Sequence, residues 1–206
     1  MTFRYCTQCG KSLKACLCQW IVPLSSHVEL IILQHKAETH RPMGTARILT
    51  LSLSNSRCFV GEDFSEHEAL NALLSEPNVE HWVLFPGEGA QSYEQVRTRL
   101  QQAEPKVRLR VILLDGTWKK AYKMWQLSTN LHALPKVALP TDLVGNYRIR
   151  KSPSANSLST VEAGYHILRL LEPRQDFTPL INAFEKMIDF QIAQMPPGVF
   201  EKNYQG

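Results

Sequence analysis

From residue 28 onward, short apolar runs alternate with segments of helical periodicity, and this alternation restricts the chain to strands joined by crossover helices. Strands are predicted at residues 28–34, 57–60, 81–85, 107–114 and 136–139. Helices are predicted at residues 45–53, 65–74, 93–102 and 117–127, followed by two more at 159–171 and 177–194. The fold class that follows is α/β with a mostly parallel sheet. Local punctuation agrees. Ser65 with Glu68 and Ser159 with Glu162 have capping-box spacing, and Pro77, Pro105, Pro135, Pro173 and Pro179 fall at element boundaries. Cys58, within the strand predicted at 57–60, reads as a small buried apolar residue.

A chain of 206 residues with an apolar fraction of 44% buries a real core and makes one substantial domain with a small appendage. The excess of 23 Lys+Arg over 19 Asp+Glu, a formal charge of +4, is compatible with a basic face but does not by itself indicate a polyanionic partner. No apolar run reaches the roughly 20 residues that span a bilayer. The first residues, Met1 to Cys6, lack the apolar core of a signal peptide. A cytoplasmic location with no membrane partner is expected, and in that reducing compartment clustered cysteines read as metal ligands or redox groups.

Four of the five cysteines lie close together, as Cys6 and Cys9 in a C-x-x-C pair followed by Cys16 and Cys18 in a C-x-C pair. A knuckle built on the first pair, with Gly10 relieving its turn, offers two thiolates to one side, and the second pair completes a tetrahedral zinc site. Four sulfur ligands argue for a closed structural site. Unpaired thiols or a redox pair are the alternatives, but a redox C-x-x-C is expected between a strand and a helix. Residues 1–26 are accordingly a zinc-binding segment and residues 27–206 the main domain. Lys11 and Lys14 sit inside the loop that the metal would close, where they can meet phosphate or simply be solvated.

In open α/β sheets ligands bind beyond the carboxyl ends of the strands. Those positions hold Gln34 to Arg41, then Phe85-Pro86-Gly87-Glu88, then Asp115-Gly116-Thr117-Trp118-Lys119-Lys120. A long connection over residues 140–158 brings Arg148, Arg150 and Lys151 and leads to Ser159-Thr160-Val161-Glu162. Singly, each has an ordinary explanation: a turn at Pro86, an N-cap at Asp115, a core aromatic at Trp118, a cap at Ser159. Together they converge on one sheet edge. Neither G-x-G-x-x-G nor the P-loop pattern occurs, so a cofactor without phosphates fits better than a nucleotide held by a glycine loop. His35 and His40 give no geometric reason for shared metal ligation, and no catalytic metal is assigned.

Leu113-Leu114-Asp115-Gly116-Thr117-Trp118 resembles the Asp-x-Thr-Trp signature of the DTW-domain family of tRNA-uridine aminocarboxypropyltransferases. Other segments support the match in order: the four cysteines, Leu33-Gln34-His35 with Glu38 and Arg41, Leu84-Phe85-Pro86-Gly87, Arg148 to Lys151, and Leu158 to Ala163. The resemblance covers nearly the whole chain. One departure is Lys36, where the family often has proline after the Gln-His pair.

The resemblance implies a SPOUT-like fold with a carboxyl-terminal trefoil knot, and transfer of the 3-amino-3-carboxypropyl group of S-adenosylmethionine to N3 of a uridine in tRNA. The cofactor would lie against Phe85, Pro86, Gly87, Glu88, Asp115, Thr117, Trp118, Leu139, Ser159 and Thr160. Arg148 would meet its carboxylate, although tRNA phosphate is an equal partner, and Glu162 would meet its ammonium or merely complete a cap. Asp115 is the candidate catalytic group, as base or as acceptor that orients the N3–H. The tRNA surface would include Lys11, Lys14, Arg41, Arg47, Lys119, Lys120, Arg150 and Lys151. A methyltransferase of the same architecture and a non-catalytic zinc-knuckle RNA-binding module are the competing readings. Either a monomer or a homodimer is compatible with the sequence.

Overall fold

The computed structural model describes residues 4–102, 107–149 and 157–204, so Arg150 and Lys151, expected to meet RNA, lie outside the described residues. Among those described, six strands form one sheet: β1 (Val28–His35), β2 (Arg57–Gly61), β3 (Val79–Leu84), β4 (Gln91–Ser92), β5 (Arg108–Asp115) and β6 (Lys136–Ala138). Their order is β2-β1-β5-β3-β6-β4, and every neighbouring pair is parallel. The helices are α1 (Ala46–Ser52), α2 (Glu68–Leu74), α3 (Tyr93–Gln102), α4 (Trp118–Leu127), α5 (Thr160–Leu171), α6 (Thr178–Ala193) and α7 (Val199–Tyr204).

Parallel pairing explains why the strand sequences are apolar without alternation, since both faces of the sheet are covered by helices. Leu30 and Ile32 of β1, Leu109, Val111 and Leu113 of β5 and Trp82 of β3 point into one core with α1, α5 and α6. Ile31, Leu33, Ile112 and Val83 point the other way and pack with Leu70 and Leu73 of α2 and Met124 of α4. The amino-terminal segment joins the first of these cores through Cys9 and Leu17, both buried.

At the amino-terminal end of the second face lies a buried charged layer. Arg110 of β5 is 1% exposed; its Nε donates to Glu29 at 2.6 Å, one terminal nitrogen donates to the Leu73 carbonyl at 2.7 Å, and the other to Glu76 at 2.8 Å. The guanidinium's fork geometry lets it satisfy partners from two elements at once. His81 sits beside it in register on β3, buried, with no hydrogen-bond partner for either ring nitrogen among the described residues.

Two local expectations are corrected. Cys58 is exposed, because β2 is an edge strand paired only with β1 and its outer positions face solvent. Ser65 does not open a capping box: α2 starts at Glu68, and its cap is His67, whose ring accepts from the Leu70 amide. The Ser65 hydroxyl instead donates to the Leu127 carbonyl, tying this turn to the end of α4. The short strand β4 and the helix α7 add to the predicted elements.

Candidate active site

Leu33 and Gln34 of β1 lie in register with Leu114 and Asp115 of β5, so the carboxyl ends of the two central strands bring an amide and a carboxylate side by side. Gln34 Nε2 donates to Asp115 Oδ2 at 2.7 Å, and Thr160, the first residue of α5, donates its hydroxyl to Asp115 Oδ1. Asp115 is 7% exposed and held by neutral donors from two elements. The cap of α4 is not Asp115 but Thr117, whose hydroxyl accepts from the Lys120 amide, so the carboxylate is left to the interior.

Asp115 lines a cavity of about 810 Å³ at the carboxyl ends of β3, β5 and β6. Its walls bring together most of the residues expected there: Phe85 and Pro86, Asp115 to Trp118, Leu139, Ser159 and Thr160. Gly87, Glu88, Arg148 and Glu162 are not on the lining. Arg148 turns outward to Asp189. Glu162 is 3% exposed and completes the capping box of α5, accepting from the Ser159 amide at 2.7 Å while its other oxygen accepts from the Asn146 amide.

The long connection is pinned at several points. Gly145 runs so close to Ser157 that a Cβ on it would lie 2.8 Å from the Ser157 carbonyl oxygen. Tyr147 donates to the Met43 carbonyl at 3.0 Å and stands edge-on to Phe184. Met43, Gly44 and Thr45 form another wall of the cavity, and the Thr45 hydroxyl accepts from the Val161 amide. Trp125 of α4 stacks on Phe85 with centroids 5.3 Å apart, which fixes the Phe85-Pro86 turn from beneath. Trp118 is 50% exposed, so it is not a core aromatic; it stands at the cavity mouth.

The four clustered cysteines converge. The sulfurs of Cys6, Cys9, Cys16 and Cys18 all lie within 4.8 Å of one another, and the Cys6–Cys18 and Cys9–Cys16 pairs are each at 3.7 Å. A tetrahedron with Zn–S bonds of about 2.3 Å has sulfur–sulfur edges of about 3.8 Å, so this donor set fits a zinc ion. The distances are far beyond a disulfide bond of about 2.05 Å. Gly10, at φ +67°, makes the knuckle turn, and the backbone amides of Cys9 and Gln8 directed at Cys6 hold its thiol down to about 6. Burial, followed by hydrogen bonding from Cys6, pushes the Cys18 thiol up to about 12.

The cations expected to meet RNA separate into two groups. Arg41 and Lys120 both grip Glu38, at 3.1 and 2.7 Å. Lys11 donates to the Pro42 carbonyl, and Arg47 packs its guanidinium on Gly10. Burial, with Arg47 adding to the effect, lowers the Lys11 ammonium below its usual range. These contacts lock the cysteine knuckle to the 41–45 wall of the cavity. Lys14 and Lys119 are exposed with no ion pair among the described residues.

A family model for the DTW domain matches residues 3–192. The chain belongs to the DTW domain family. Relatives include a Drosophila melanogaster protein named tRNA-uridine aminocarboxypropyltransferase 2, 29% identical over 91% of this chain and 74% of its own length. A Mus musculus protein of the same name is 31% identical over 91% of the chain but 63% of its own length, so the chain spans under two thirds of it. An Arabidopsis thaliana tRNA-uridine aminocarboxypropyltransferase A is 24% identical over 93% of the chain and 82% of its length. No solved structure matches the chain.

Within this DTW domain the role of Gln34 was not apparent from sequence. It ends the apolar run Leu30 to Leu33, and only the parallel register of β1 with β5 places it opposite Asp115. A polar residue ending a strand that aligns with the motif strand is the signal that could have found it.

Proposed function

We propose that the chain transfers the 3-amino-3-carboxypropyl group of S-adenosylmethionine to N3 of a uridine in tRNA. The observation that carries this reading is the DTW motif itself, with its carboxylate anchored by Gln34 and Thr160 on the wall of a cavity at the strand ends. The relatives' names supply the reaction class.

The cavity suits the cofactor. Its volume is within the range of roughly 300–1,000 Å³ typical of small-molecule sites. Leu84, Phe85, Leu113, Val137, Leu139 and Leu158 give it apolar walls, while the Thr117, Ser159 and Thr160 segments give it polar edges. When bound, the cofactor would supply an electrophilic carbon: the N3–carbon bond forms as the carbon–sulfur bond breaks, and sulfur leaves with the electron pair as a neutral thioether. The described cations on the lining are Arg41 and Lys119; recognition of the cofactor's carboxylate passes from Arg148 to Arg41, and Lys119 is left to the RNA.

Asp115 takes the part of acceptor. Gln34 and Thr160 hold the carboxylate from two elements on the cavity wall, where it can meet a donor of the substrate. The two anchoring donors make Asp115 a fixed acceptor that orients the uracil N3–H and draws its proton as the new bond forms. Trp118 would stack on the uracil at the mouth.

The cysteine centre is read as a structural zinc that braces the cavity wall through Lys11 and Arg47. The SPOUT-like, knotted arrangement that the family resemblance implies accords with the all-parallel sheet. A cytoplasmic location accords with a tRNA substrate, and among the described residues no helix is long and apolar enough to cross a membrane.

The test uses bulk tRNA and S-adenosylmethionine labelled separately in the carboxyl carbon and in the methyl group. Carboxyl label in RNA supports the reading. Methyl label would establish a methyltransferase, and neither label, with binding to RNA intact, would favour a non-catalytic module.

A further inference from the structure

We propose that the outward face of α4 is a nucleobase-stacking platform, in which Tyr122 is the subsite for an unpaired nucleotide next to the modified uridine. The inference rests on the reading of the chain as a tRNA-modifying enzyme.

α4 buries Ala121 and Met124 and leaves Trp118 and Tyr122 exposed at 50% and 53%. Residues four apart share one helix face, separated by about one turn of 5.4 Å. Among the described residues the other exposed aromatic is Tyr5, in the cysteine segment, so α4 carries an aromatic pair with no core to fill. Trp118 and Lys119 line the cavity, and Tyr122, which is off the lining, lies one helical turn beyond Trp118.

Charge selects the occupant. α4 holds Lys119, Lys120 and Lys123 and no carboxylate. Lys120 is turned aside to Glu38 and Lys123 pairs with Glu62 at 2.9 Å, whereas Lys119, between the two aromatics in sequence, has no ion pair among the described residues. Two aromatic faces with the Lys119 ammonium between them in sequence suit a single strand whose bases stack while a phosphate meets the lysine. The centre of a protein interface, by contrast, is depleted of lysine.

The chemistry points to the same ligand. N3 lies on the Watson–Crick edge of uracil, so the target must be unpaired to react, and proteins read such loop nucleotides by splaying their bases onto aromatic side chains. A uridine directed past Trp118 into the cavity leaves its neighbour one step outside, where Tyr122 stands.

The experiment compares the wild type with Tyr122→Ala and Tyr122→Phe for binding to a short oligouridine, to a duplex RNA of equal length and to S-adenosylmethionine, and for KM and kcat with bulk tRNA. Tyr122→Ala should weaken oligouridine binding and raise KM by about tenfold, with kcat and cofactor affinity unchanged. Tyr122→Phe should restore both, and the duplex should bind all three proteins alike. Oligouridine affinity in Tyr122→Ala equal to that of the wild type would overturn the platform. So would a change of oligomeric state in Tyr122→Ala with RNA binding intact, which would make the face a protein interface. Wild-type protein that binds oligouridine through Tyr122 but transfers nothing to tRNA would instead defeat the enzymatic reading while leaving the stacking site in place.

Discussion

Gln34 Nε2 reaches from the end of β1 to Asp115 Oδ2 at the end of β5, 2.7 Å away, and so fixes the plane of the motif carboxylate from a neighbouring strand. Replacing Asp115 by Asn keeps the size and one acceptor but removes the charge. Transfer to tRNA should fall by about 10²–10⁴-fold, with S-adenosylmethionine binding still measurable by calorimetry. Gln34→Leu should give a smaller loss in kcat, because the carboxylate is still held by Thr160. Equal activity of Gln34→Leu and wild type would remove Gln34 from the mechanism.

The cysteine centre makes a separate prediction. Purified protein should contain one equivalent of zinc by elemental analysis, and Cys9→Ser should lose it. Because Lys11 and Arg47 join the knuckle to the 41–45 wall, chelation should lower both the melting temperature and cofactor affinity. Metal-free protein with unaltered melting would contradict the structural role.

The layer around Arg110 predicts an order of stabilities. Glu29→Leu takes a carboxylate away from a fully buried guanidinium and should cost about 3 kcal/mol in urea denaturation. Arg110→Met should cost less, since Glu29 keeps Arg57 and Glu76 keeps Arg108. The reverse order would show that the buried charge is not what this layer stabilises.

Neighbouring His81 gives the pH dependence. Burial, then the positive charge of Arg110, lowers its pKa from 6.5, so the unfolded chain binds the proton more tightly than the folded one. Stability is intact above about 6.5 and falls as the pH drops from there through the lowered folded value. His81→Phe should flatten this part of the stability–pH curve; an unaltered slope would place the titration elsewhere.

At Gly145 the obstacle is backbone. A methyl group 2.8 Å from the Ser157 carbonyl oxygen forces the two segments apart, so Gly145→Ala should lower both stability and cofactor affinity. Wild-type melting and affinity in this variant would show that the contact is loose.

Much of this arrangement was legible in the sequence because the relevant signals are local. The apolar runs of β1 and β5 gave their strands to within a residue or two, and Ser159 with Glu162 is the capping box its spacing indicated. The cysteines of the knuckle are close in sequence and meet in space. What local pattern could not give was pairing between distant elements. Gln34 meets Asp115 only through strand order, and Cys58 is exposed because β2 lies at the sheet edge. Glu162 and Arg148 looked available for a ligand, but Asn146 and Asp189 engage them. Basic residues were countable, yet whether Lys11 or Lys120 faces solvent depends on Pro42 and Glu38, which come from a different part of the chain.

On the proposed reading, the Asp115 cavity directs one particular carbon of the cofactor to uridine. Nucleoside mass spectrometry of bulk tRNA after incubation with S-adenosylmethionine reads out which carbon is transferred. The wild type should give 3-(3-amino-3-carboxypropyl)uridine and Asp115→Asn almost none. Methylated nucleosides, or the same yield of the aminocarboxypropyl product from Asp115→Asn, would contradict this reading.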